Sequence, residues 1–126
     1  MSLRVAVWSR RVLLGRDDSW GARLATGPTA IYLLAALVLI VHVLDLATGL
    51  RMMLTYGIHL EQNPLARYIM SNSGPVGLIQ VKLGVVLLGV LLFVRTAQLG
   101  RARLARNCLI FTAGVGVLGA VSNLVG

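Results

Sequence analysis

PTAIYLLAALVLIVHVLDLATGL, residues 28–50, decides the fold. A helix needs roughly 20 mainly apolar residues to cross a bilayer, and this stretch exceeds that with His42 and Asp45 as its only ionisable groups. Two later stretches share its character. Residues 75–94 (PVGLIQVKLGVVLLGVLLFV) are apolar apart from Gln80 and Lys82. Residues 108–125 (CLIFTAGVGVLGAVSNLV) are shorter and rich in glycine, which membrane helices tolerate better than soluble ones do. The expectation is an all-α integral membrane protein with three transmembrane helices.

Composition agrees. Of 126 residues, 57% are apolar and 13% charged, whereas soluble domains average nearer half and a quarter. Intrinsic disorder is excluded because the polarity it needs is missing. One cysteine rules out an internal disulfide or a thiolate-built zinc site. Twelve basic residues, all but one of them arginine, stand against four acids. These charges interrupt long apolar runs, so they read as topology signals and not as a nucleic-acid surface. The chain divides into a basic cytoplasmic or interfacial segment, 1–29, and a three-span membrane domain, 30–126.

The basic residues set a direction. Arg4, Arg10, Arg11, Arg16 and Arg23 precede the first span, opposed by Asp17 and Asp18. Arg95, Arg101, Arg103 and Arg106 lie between the second and third, with no acid. Three spans place both groups on one side, which the positive-inside rule makes cytoplasmic. A multi-pass protein of the cytoplasmic membrane, N-terminus inside, is expected. The run from Ser9 to Leu14 resembles a twin-arginine export signal. Its apolar run starts far downstream, however, and no Ala-x-Ala cleavage site follows. A basic anchor on anionic lipid is the preferred reading.

Polar residues within the spans need reasons, since each ionisable group at bilayer depth costs roughly 2.5–3.5 kcal/mol. On the first span Ile31, Ala35, Val38, His42, Asp45 and Gly49 fall on one helical stripe, with Thr48 beside Asp45. On the third, Thr112, Gly116, Gly119 and Asn123 do the same, and Gly89 shares a face with Lys82 on the second. Small residues on such stripes permit close helix approach. At 1.5 Å per residue, Asp45, His42, Lys82 and Asn123 lie about 18–24 Å from the cytoplasmic ends of their spans. All four therefore fall in the outer half, where Asp45 and Lys82 are natural partners.

The outer connection carries two local signals. Gly57 suits the position after a helix end, and Asn63-Pro64 is an N-cap followed by proline at the first helical position. A short helix through about Met70 is expected there, lying in the interface or dipping into the outer leaflet. Ser71-Asn72-Ser73-Gly74-Pro75 should end it. The loop is placed to bring Glu61 and Asn63 onto the outer end of the bundle, with Glu61 accepting from Asn123 or sharing Lys82 with Asp45.

Asp45 with Thr48 three residues on, Gly57, Glu61-x-Asn63-Pro64 and a lysine early in the next span resemble the prokaryotic membrane family catalogued as domain of unknown function 5658. The resemblance covers about residues 30–126. Asp45, Thr48, Glu61, Asn63, Pro64 and Lys82 match its hallmark positions, and Asn123 a polar position near its end. It implies a fold and no established activity.

Two functional readings follow. The leading one is a structural or interaction protein: His42, Asp45, Thr48, Glu61, Asn63, Lys82 and Asn123 form a buried polar network, and Gly89, Gly116 and Gly119 serve helix packing. Its partners are the lipid bilayer and a membrane protein or second copy docked on the third span. The alternative is a small transporter or ion-conducting oligomer using Asp45, Glu61 and Lys82. His42 reads as a donor to a neighbouring carboxylate or carbonyl, or as a proton relay. No metal site is expected, because His42, His59, Asp45 and Glu61 match no ligand spacing and Lys82 opposes a cation. No nucleophile elbow, His-Glu-x-x-His or phosphate loop occurs, so neither an enzyme nor a cofactor is expected. Cys108 reads as a small hydrophobe, and Arg101, Arg103 and Arg106 as topology determinants before lipid-headgroup ligands.

Overall fold

The computed structural model describes residues 27–125. The basic segment read from the sequence lies outside them over residues 1–26. Three helices carry the fold: α1 (Pro28–Tyr56), α2 (Pro64–Gln98) and α3 (Ala102–Val125), with a 3₁₀ turn, Ile58–Leu60, between the first two. No strand occurs among the described residues. All three helices are long and apolar enough to cross a membrane.

Each helix is bounded by chemistry legible in the chain. Pro28 opens α1, its fixed φ suiting the first turn. Gly57 closes it at φ 107°, donating its N–H to the Met53 carbonyl at 3.0 Å. Asn63 caps α2, its side-chain oxygen accepting from Leu65 N at 3.0 Å and Ala66 N at 3.4 Å. Gly100, at φ 87°, turns the chain from α2 to α3. The stretch read as a long basic connection shrinks to residues 99–101, because Arg103 and Arg106 join the first turns of α3. Arginine, alanine and leucine are all good helix formers, so that segment had no reason to stay open.

The separate short helix expected after Asn63-Pro64 is not seen as an element of its own. Residues 64–98 form one helix that folds sharply at Gly74 (φ 67°, ψ −169°) with Pro75 next. Helical bonding runs up to the fold from both sides, so the break is one residue wide. It is nonetheless deep. A Cβ on Gly77 would meet Ser73, and lie 3.8 Å from Ile69 Cγ2, eight residues back, so the first arm doubles back on the second. Ser71 Oγ and Asn72 Nδ2 donate back to the Arg67 and Tyr68 carbonyls, both at 2.8 Å, four residues earlier on the same arm.

Packing is uneven. The α1 stripe of Ile31, Ala35, Val38, His42, Asp45 and Gly49 is buried throughout, mostly against α3. α2 buries only Met70, Leu78 and Val90. Two apolar clusters result. Ile31, Ala35, Val38, Val41, Val90, Ala105, Leu109 and Ala113 fill the end near the α2–α3 turn, and Leu46, Met52, Met53, Met70 and Leu78 the end near the α1–α2 connection. His42 and Asp45 lie between them. Leu33, Phe111, Leu118 and Leu124 are among many large apolar side chains facing outward, a surface that suits lipid and not water.

Candidate functional site

Asp45 is the centre of a network joining all three helices. Lys82 Nζ of α2 lies 2.6 Å from its Oδ2, a charge-assisted contact. Asn123 Nδ2 of α3 donates to its Oδ1 at 3.0 Å, to its backbone carbonyl at 3.1 Å, and to Thr48 Oγ1 at 3.3 Å. Three acceptors around one atom identify it as the amide nitrogen. Thr48 in turn donates to the Leu44 and Asp45 carbonyls at 2.9 and 3.1 Å. Both carboxylate oxygens of Asp45 are thus engaged, and the pair is neutral as a unit.

Glycine makes the approach possible. A Cβ on Gly119 would lie 2.5 Å from Asp45 Oδ1, and one on Gly116 would lie 2.7 Å from Val41 Cγ2 and 3.2 Å from His42 Cδ2. Gly49 faces Asn123, with 3.1 Å between its notional Cβ and Nδ2. Gly89 is different. Nothing lies within 4 Å of a Cβ there, so it is no close-approach position. The glycine stripe of α3 is therefore covered by α1 of the same chain, and a partner helix would have to use another face.

His42 sits one turn below Asp45, buried, with Nε2 3.1 Å from the Thr112 carbonyl. A carbonyl only accepts, so Nε2 donates to it; among the described residues Nδ1 is buried without a partner. Thr112 was legible as a member of the α3 stripe, but its carbonyl as a histidine acceptor was not. Side-chain chemistry does not reveal which backbone oxygen a partner will meet.

Glu61 takes a different place from the one expected. Its Oε1 accepts from the Asn63 backbone N–H at 2.8 Å, and it bonds neither Asn123 nor Lys82 among the described residues. The local amide competes at no loop-closure cost, and it wins. Glu61 and Asn123 still border one cavity of about 150 Å³, with Met52, Leu60, Gln62 and Ser122. His59 is exposed, beside Gly57 and away from the network. No three of His, Cys, Asp and Glu gather to hold a metal among the described residues.

The fold at Gly74 adds something the sequence reading lacked. It brings Leu65, Ala66 and Ile69 of the first α2 arm opposite Leu78, Val81 and Val85 of the second. A groove of about 320 Å³ lies between them, reaching His42, Asp45, Asn63 and Lys82. The signal was present as two breakers eleven residues apart, Asn63-Pro64 and Gly74-Pro75. Their spacing gives a helix length but not the direction in which it folds.

A family model described as Domain of unknown function (DUF5658) matches residues 36–126, and the chain belongs to that family. The match holds α1 from Ala36, the whole of α2 and α3, and every member of the network. No curated protein and no solved structure matched the chain.

Proposed function

We propose that this member of the DUF5658 family is a small multi-pass protein of the cytoplasmic membrane. Its N-terminus is inside, and it acts as a structural or interaction protein. The Asp45–Lys82–Asn123 network is an uncharged pin that keeps three helices in register. One observation carries this reading: both Asp45 oxygens are engaged by the chain's own Lys82 and Asn123. A carboxylate so occupied offers an ion nothing until those bonds break. Helices in lipid gain little from apolar burial and depend on close packing and interhelical bonds, both of which meet at Gly119 and Asp45. A membrane partner or second copy would seat on the outward apolar faces, since α1 occupies Gly116 and Gly119. No catalytic step is assigned.

A second reading, a small transporter using Asp45, Glu61 and Lys82, is favoured by one feature. The Lys82 side chain is 32% exposed, against 13% for Asp45, so the pair is closed on one side only. Reconstitution into vesicles loaded with a pH dye, with sodium or potassium gradients applied, separates the two. The structural reading expects no flux above protein-free vesicles. It also expects that proteins co-purified in mild detergent are kept by the neutral pair Asp45→Asn/Lys82→Met and lost with Lys82→Ala alone. Flux abolished by Asp45→Asn would replace it with transport.

A further inference from the structure

We propose that the groove beside the Asp45–Lys82 pair is a lateral binding site for an uncharged long-chain amphiphile, held by a hydroxyl oxygen that accepts from Lys82. The proposal rests on the helices spanning the bilayer and not on the scaffold role. Position comes first. Lys82 lies eight residues past the fold at Gly74, about 12 Å along the helix. The rim residues Leu65 and Val85 are 62% and 66% exposed, so the groove opens sideways, toward lipid chains. Its volume, about 320 Å³, is at the small end of the range for ligand pockets. That suits one polar group and the start of a chain, not a bulky headgroup.

Charge selects the head. An ammonium has three donors, and among the described residues Lys82 is paired with Asp45 alone. A hydrocarbon would leave the other donors facing apolar matter. A cation meets Lys82. An anion meets the Asp45 carboxylate and finds no second cation on the groove walls, leaving net charge in apolar surroundings. An uncharged oxygen remains. A hydroxyl supplies that oxygen with the least bulk beside it, as a groove of this size requires.

The test uses the full chain in phosphatidylcholine vesicles with three photoreactive probes of one length: a diazirine hexadecanol, the matching hexadecane and the matching hexadecanoate. Cross-links from the alcohol should concentrate on residues 65–69 and 78–86. There they should exceed the hydrocarbon's on the order of tenfold, the effect of one hydrogen bond to a charged donor. The two probes should label the far face of α3, at Phe111 and Leu118, equally. Val85→Trp, at an exposed rim position, should reduce the groove signal to the hydrocarbon's level. Asp45→Asn/Lys82→Met should erase the preference for alcohol. Equal labelling by alcohol and hydrocarbon overturns the proposal, as does stronger labelling by the acid or a Val85→Trp protein that labels like the wild type.

Discussion

Lys82 and Asp45 are unequal partners, and their substitutions should show it. Asp45 is 9% exposed and fixed among Gly119, Thr48 and Asn123, so Lys82→Met strands a buried carboxylate. Breaking a buried pair costs roughly 3–5 kcal/mol, and the partial exposure of Lys82 places this loss toward the lower end. Asp45→Asn should cost less, because the lysine chain can carry its ammonium toward the groove mouth. Combining the two should recover much of the loss in detergent unfolding; additive losses would mean the groups do not couple. Glycine gives a second contrast. Gly119→Ala pushes a Cβ to 2.5 Å from Asp45 Oδ1 and should destabilise by about 1–3 kcal/mol. Gly89→Ala meets nothing and should be neutral, or stabilising by up to about 1 kcal/mol. Most of the network was legible at this scale, because each ionisable group in an apolar run demands a partner and the helical period limits where it lies. Glu61 was not: a carboxylate in a loop can be satisfied by its own neighbours, and no spacing rule says when it will be.

Between residue and bundle, the decisive element is α2. Its first arm begins at an asparagine cap and ends at a glycine whose φ of 67° disfavours every residue with a Cβ. Gly74→Ala should therefore cost about 1–3 kcal/mol, since φ 67° with ψ −169° is a region essentially confined to glycine. It should also separate Leu65 from Val85, read as a longer spin-label distance across the groove. Asn63→Ala should cost about 1 kcal/mol, while Asn63→Asp keeps the cap and should be close to neutral. An Asn63→Ala protein as stable as the wild type would show that packing alone fixes the arm. Breakers at both ends were readable from composition. The doubling back was not, because it depends on where Met70 and Leu78 find apolar contacts, and both find them in the cluster with Leu46 and Met52.

For the whole molecule, the proposed arrangement in the membrane is one that labelling can check. In a Cys108→Ala background, single cysteines at Thr55, near the end of α1, and at Leu99, in the turn between α2 and α3, are both on exposed positions. The arginines around that turn, Arg95, Arg101, Arg103 and Arg106, stand without an acid and favour the cytoplasmic side. A membrane-impermeant maleimide added to whole cells should modify Thr55→Cys at once and Leu99→Cys only after permeabilisation. The reverse pattern would invert the topology without disturbing the bundle. Equal labelling of both would mean that α2, the helix with the least buried surface, does not cross at all. The Asp45–Lys82 pair argues against that last result. An α2 lying on the surface would leave Asp45 in the bilayer without its counter-charge, and the 2.6 Å contact exists only if Lys82 descends to meet it.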